Sequence, residues 1–456
     1  MEVPGKATAL WSDFFRWSRP QIRAFHMSWF AFFLCFFAWF GIAPLIPVVR
    51  DELGLTPQQI GWSMIASVAV TVMARVVVGR ICDRVGPRRT YAGLLIAGSI
   101  PVMAIGLAHD ATTFILFRLM IGIIGASFVI TQYHTSLMFA PNVVGTATAT
   151  SAGWGNLGGG VTQFAIPLAF GGLVTTFSLS PATSWRLTMF LAGLLCLATG
   201  VAYYFLTQDT PQGNWTRRKT TPDTSKTRQL GIVCRDRRVW TLFAAYGACF
   251  GVELTMNNAI ALYFFDYFEF FQRLDPVRAL WGCGLVASLF GATNVFARTL
   301  GGALGDTFGM RWGLRGRVSW LFMALFCEGI ALLFFSQVRV FLLAVPALLV
   351  LSIFVQAAEG ATYSVVPFVH RSALGTVSGI VGAGGNLAAM GAGFLFAGSL
   401  SWPTALLVLG LVVTAVSLLA LTITFSPEAE ELARRELGEA LRRKRNNSAP
   451  GALQPI

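Results

Sequence analysis

Two arginines, Arg75 and Arg298, stand inside apolar segments, and each heads the same spaced pattern. The first copy is Arg75-x3-Gly79-x3-Asp83-x2-Gly86-x-Arg88; the second is Arg298-x3-Gly302-x3-Asp306-x2-Gly309-x-Arg311. A guanidinium keeps its proton at any accessible pH. In the middle of a bilayer it costs ~2.5–3.5 kcal/mol on insertion scales, which marks it as a candidate functional residue. The recurrence at matching points predicts an internal repeat. No obvious carboxylate stands beside either arginine in the sequence, so two uncompensated positive charges predict a pocket for an anion.

The elements that must carry these charges are membrane helices. Of the 456 residues 55% are hydrophobic and 12% charged, against about 25% charged in soluble domains. A span needs ~20 mostly apolar residues, and twelve such segments are predicted, at 27–49, 60–80, 90–108, 112–140, 143–170, 186–206, 239–265, 280–304, 316–336, 340–367, 373–398 and 402–425. The expected fold class is an all-α polytopic membrane protein. The predicted domains are an amino-terminal segment 1–26, a six-helix unit 27–206, a central loop 207–238, a second six-helix unit 239–425 and a tail 426–456. The first apolar run is too long for a signal peptide.

Twenty-six Lys and Arg residues fall on the side that carries both termini and the central loop, against five on the other. That asymmetry predicts cytoplasmic termini. The formal net charge of +13 therefore reports topology and attraction to anionic lipid, not nucleic-acid binding. The central loop contributes Arg217, Arg218, Lys219, Lys226, Arg228, Arg235, Arg237 and Arg238 to this count. The seven cysteines show no paired spacing, so neither a disulfide nor a zinc site is expected. No metal or cofactor is expected, and no paired catalytic carboxylates or nucleophile motif suggests an enzyme.

Depth follows from spacing. Asp83 and Asp306 are assigned to basic loops. Eight residues of helix is ~12 Å, against a hydrocarbon core ~30 Å thick. Arg75 and Arg298 are thereby placed near the midplane, where carriers with internal repeats hold their substrates.

The stretch Gly79-Arg80-Ile81-Cys82-Asp83-Arg84-Val85-Gly86-Pro87-Arg88-Arg89 resembles the loop 2–3 signature of the major facilitator superfamily, and 302–311 is its second copy. The resemblance implies twelve helices in two pseudo-symmetric six-helix bundles. It makes Gly79, Asp83, Arg84, Gly86, Arg88, Gly302, Asp306, Gly309 and Arg311 conformational gating residues. The Gly-rich runs 152–160 and 382–387 resemble the paired signature of the nitrate/nitrite porter family. Residues 251–255, 356–362 and 366–369 resemble its plant-type high-affinity branch. Carried over by position, Arg75 and Arg298 become substrate-binding arginines. Asn156 and Asn386 become symmetric polar ligands, and Phe128 and Tyr246 aromatics near the anion. Leu242 departs from a tyrosine of the bacterial members.

The resemblance implies import of nitrate, with nitrite as a second substrate, by rocker-switch alternating access at the plasma membrane. Proton symport is associated with this branch, and some members require a small accessory membrane protein. Guanidinium is a planar fork suited to a planar oxyanion, and Asn donates hydrogen bonds without adding charge. For the proton, Glu253 and Glu359 are candidates, with Arg118 as the charged residue beside which either could act. The other reading is a structural salt bridge to Arg118. Glu328 and His134 are assigned to packing, and most of the glycines to helix contact. A nitrate/nitrite exchanger is the alternative within carriers; a nitrate-binding membrane sensor is the alternative outside them.

Overall fold

A computed structural model describes residues 5–140, 143–215, 231–370, 374–433 and 435. Five of the central-loop basic residues, Arg217, Arg218, Lys219, Lys226 and Arg228, lie outside the described residues, as does the tail after 435. Among the described residues, 11 helical segments are long and apolar enough to cross a membrane. One of them, Pro276–Gln337, runs for 62 residues. A straight helix of that length would reach ~93 Å, three times the hydrocarbon core. The chain instead turns at Gly313, whose φ of 68° and ψ of −154° lie outside the helical region, so the segment is two helices. A positive φ is open to glycine at little cost.

The twelve helices are α1 Pro20–Leu53, α2 Pro57–Val85, α3 Pro87–Leu107, α4 Ala111–Met138, α5 Val144–Thr175 and α6 Pro181–Leu206, then α7 Arg237–Tyr267, α8 276–312, α9 314–337, α10 Phe341–Phe368, α11 Leu374–Ala397 and α12 Trp402–Ala420. Several starts are written locally. Thr56-Pro57, Ser180-Pro181 and Asp275-Pro276 each place a capping oxygen before a proline at the first helical position. The cap satisfies a free N–H, and the proline gives up an N–H that has no partner there. α1 begins ahead of the apolar run at Met27, because Ile22 and Phe25 bury against the amino-terminal segment.

Packing repeats between the halves. In the first bundle α1 packs on α5, α2 on α4 and α3 on α6; in the second, α7 packs on α11, α8 on α10 and α9 on α12. Adding six to each number in the first set gives the second. The seam between bundles repeats the relation, with α2 against α11 and α8 against α5. The Gly-rich runs make the close approaches within each bundle: a Cβ at Gly158 would lie 2.0 Å from the Phe33 carbonyl oxygen of α1, and one at Gly384 2.2 Å from that of Phe243 of α7.

The seam closes away from the termini. There Gly61 packs on Ala397 and Gly284 on Gln163, and Arg50 donates two hydrogen bonds to Asp266, at 2.9 and 2.8 Å, joining α1 to α7. At the terminal end each half is tied to itself. Ala7 pairs with the backbone at Met138 and Ala140, and Glu430 accepts from the amides of Leu314 and Arg315, at 2.9 and 3.1 Å, capping α9.

The two copies of the arginine pattern end differently. Gly86 closes α2 with a φ of 91°, whereas its counterpart Gly309 stays helical and buried, and the turn comes one helical turn later at Gly313. Gly309 serves another purpose: a Cβ there would lie 2.7 Å from Nε of Arg317, which crosses over it. Asp83 and Asp306, expected in loops, both lie within helices.

Candidate functional site

α2 and α8 bring Arg75 and Arg298 to the seam by different routes. α2 is continuous through Arg75. α8 breaks into a 3-10 turn at Thr293–Val295, with Phe296 at φ −131°, immediately before Arg298. The break turns Asn294 toward α7, where its amide donates to Glu253 Oε1 at 2.8 Å.

Arg75 is surrounded by neutral groups. Its Nη1 donates to the Gly382 carbonyl at 2.9 Å. With Oδ1 turned toward the guanidinium, the orientation its neighbours favour, Asn386 accepts from Nη1 at 2.9 Å and Nη2 at 3.2 Å. The rings of Phe128 and Phe250 lie 5.7 and 5.9 Å from its Cζ. Its buried Nε has no hydrogen-bond partner among the described residues.

Arg298 is different, and here the expectation of two uncompensated cations is corrected. Its Nη1 lies 2.5 Å from Glu359 Oε2 of α10, although its N–H directions miss the carboxylate; its Nη2 donates to the Tyr246 hydroxyl at 3.0 Å. Helix packing supplies this carboxylate from the neighbouring α10, far away in the chain. Glu253 lies beside Glu359 and also acts on Arg298. Both carboxyl groups are fully buried.

Between the two cations stand rings. Tyr246 stacks on Phe250 at 5.1 Å and meets Tyr363 edge-on at 5.1 Å. Tyr363 is within electrostatic reach of both arginines, and its buried hydroxyl has no hydrogen-bond partner among the described residues. Asn156 reaches Glu253 Oε2 across the seam at 3.3 Å, leaving its own Oδ1 unpartnered. The structure thus gathers Arg75, Asn386, Phe128, Tyr246, Arg298, Glu359, Glu253 and Asn156 around one buried locus.

Arg118 stands apart. Its Nη2 donates to Asn258 Oδ1 at 2.5 Å and its Nη1 to the Trp39 carbonyl at 3.4 Å; among the described residues no carboxylate bonds to it. The salt bridge from Arg118 to Glu253 or Glu359 is therefore corrected: one carboxyl faces Arg298 and the other the asparagine amides.

The residues expected to act in gating divide. Arg88 stacks over Tyr204, 4.2 Å from its ring centre, and its backbone N–H donates to Asp209 at 2.9 Å. A Cβ at Gly86 would lie 2.4 Å from the same Asp209. Asp306 pairs with Arg317 at 2.6 Å, while Asp83, Arg84 and Arg311 are exposed. Gly79 and Gly302 leave only loose contacts, a Cβ meeting Val129 at 3.7 Å and the Gly360 carbonyl at 3.8 Å. Sequence reasoning missed Tyr363, Phe250, Asn294 and Arg317. Tyr363 directly follows the 356–362 stretch already singled out, so its neighbourhood was the available signal.

A charged midplane shared by two repeated six-helix bundles defines a membrane carrier. The chain belongs to the Major Facilitator Superfamily, whose pattern matches residues 28–390. It is 40% identical over 395 residues to the high affinity nitrate transporter 2.5 of Arabidopsis thaliana, covering 86% of this chain and 76% of that one. It is 38% identical to the high-affinity nitrate transporter 2.3 of Oryza sativa subsp. japonica, over 92% and 80% of the two chains. It is 29% identical to the nitrate/nitrite transporter NrtP of Nostoc punctiforme, over 80% and 85%. In fold it is similar to a bacterial homologue of the human lysosomal transporter Spinster, crystallised inward-facing and unoccupied, with a TM-score of 0.63 at 17% identity over 92% and 98% of the chains.

Proposed function

We propose that this protein imports nitrate, with nitrite as a second substrate, across the plasma membrane by alternating access, with its termini in the cytoplasm. The observation that carries this reading is Arg75, a permanent cation at the seam whose bonds go to a carbonyl and an amide and, among the described residues, to no carboxylate. A planar monoanion entering beside it receives forked N–H donors and a ring wall from Phe128 and Tyr246. Arg298 supplies the second cation once Glu359 releases it.

That release is the proposed coupling step. Nitrate and Glu359 compete for Arg298. A carboxylate parted from its cation inside the bilayer is stabilised by taking up a proton. One anion and one proton then leave the charge of the site unchanged. Glu253, beside Glu359, offers a place for a second proton. Moving one charge across 100 mV costs ~2.3 kcal/mol, so two protons per nitrate make entry into a negative-inside cell electrically favourable. Seam contacts lying away from the termini correspond to a site shut to the outside.

The test is purified protein in sealed liposomes with imposed pH and nitrate gradients. Nitrate accumulation driven by an inward proton gradient supports symport. Accumulation that needs internal nitrite and ignores the pH gradient replaces symport with exchange. Binding without flux replaces a carrier with a sensor. Flux from the chain alone dispenses with an accessory membrane protein.

A further inference from the structure

Arg118 is a third guanidinium within the membrane helices and the most deeply buried, 1% exposed, and the transport reading leaves it without a task. It lies on α4, just before that helix changes to a 3-10 turn at Gly122–Ala126. Its shorter hydrogen bond crosses the seam to Asn258 on α7, and its buried Nε has no hydrogen-bond partner among the described residues. Asn258 Oδ1 also accepts from Ser67 on α2, at 3.4 Å. Ser67 precedes Arg75 by eight residues, which places this layer ~12 Å along the helix on the side where the seam is shut. Asn258 further lines a small cavity in the seam with Met64, Val68, Thr255 and Gly393.

An ion that cannot lose its proton must be compensated at every stage of the cycle. In this conformation the compensation is dipolar and half of it belongs to the other bundle. When the outer halves part, Asn258 leaves with α7, and the guanidinium keeps only the Trp39 carbonyl.

We infer that Arg118 is a second, outer anion site, which receives the incoming small oxyanion when the seam opens outward and hands it on to Arg75 as Asn258 returns. The amide oxygen of Asn258 holds the place of a substrate oxygen in the shut state. This inference rests on the nitrate reading above.

The experiment is nitrate flux in liposomes, with KM measured separately for nitrate applied to each face. Cys234 is exposed while the other cysteines are buried or half-buried, so its labelling by an impermeant maleimide reports orientation. Arg118→Gln is expected to raise KM from the outer face about tenfold or more, as loss of a charged forked donor does, and to leave KM from the terminal face within about twofold. Asn258→Asp places a permanent carboxylate on Arg118; it is expected to raise the melting temperature and to raise outer-face KM likewise. Arg75→Lys should raise KM from both faces. Arg118→Gln acting equally on both faces, or on neither, overturns the outer site. An unchanged outer-face KM in Asn258→Asp overturns it even where Arg118→Gln fails to fold. A wild-type protein that moves no nitrate from either face overturns the transport reading and this one together.

Discussion

Arg75 and Arg298 stand at equivalent points of the two bundles, yet Arg298 lies 2.5 Å from a buried carboxylate, Glu359, while Arg75 is held by a carbonyl and an amide. The symmetry of the fold is therefore broken electrically at its centre. In the proposed transport reading, one arginine is ready for an anion and the other must first exchange a ligand.

Replacing Arg75 by Lys keeps the charge and loses the fork that spans Gly382 and Asn386. Nitrate uptake is expected to weaken by roughly 10- to 100-fold, the loss of one or two charge-assisted hydrogen bonds, with normal membrane insertion. Uptake kinetics beside surface expression measure it; near-normal affinity would remove Arg75 from the pocket.

Glu359→Gln takes the competing charge from Arg298. Proton-driven accumulation should disappear while nitrate counterflow persists, and nitrate binding should lose most of its pH dependence. Glu253→Gln is expected to abolish accumulation and spare counterflow as well. Flux with and without a pH gradient decides, and unchanged accumulation in both variants clears the pair of any coupling role.

At Gly384 a side chain would meet the Phe243 carbonyl oxygen at 2.2 Å, a fixed backbone atom that cannot swing aside. Gly384→Val should destabilise the second bundle by about 1–3 kcal/mol, the usual range for overpacking, and lower the melting temperature in detergent. A melting temperature equal to wild type would contradict the contact.

The Arg50–Asp266 bridge ties α1 to α7 where the seam is shut. Asp266→Asn weakens a half-exposed pair, so the expected effect is small, roughly 0.2–1 kcal/mol. That is still enough to raise the ratio of outward-open to closed molecules by roughly 1.4- to fivefold. Labelling of a cysteine introduced at Ser63, buried on α2, should accelerate accordingly. An unchanged labelling rate would show that the bridge is ornamental to closure.

The repeated arginines, the six-plus-six arrangement and the Gly-rich faces were legible because each is a local pattern in one dimension. What Arg298 meets was not. Glu359 is brought to it by the packing of α8 on α10, and helices that are apolar on nearly every side give little clue to which face turns inward. The same holds for Arg118, whose partner Asn258 arrives from the other bundle. The turn at Gly313 falls within the predicted connection between 304 and 316, but spacing did not single it out from Gly309, and only the fold reveals that Gly309 makes room for Arg317.

Gly160 and Gly291 touch across the seam with nothing but backbone between them: a Cβ at Gly291 would fall 2.2 Å from the Gly160 Cα. Gly160 is one helical turn from Asn156, and Gly291 is two turns from Arg298. Two smooth cylinders meeting at a bare point behave as a fulcrum. In the alternating-access cycle proposed above, the two ends of the seam would swing through the widest arcs, while Asn156 and Arg298, nearest the pivot, would scarcely travel, and the cargo would be kept still as the walls move around it.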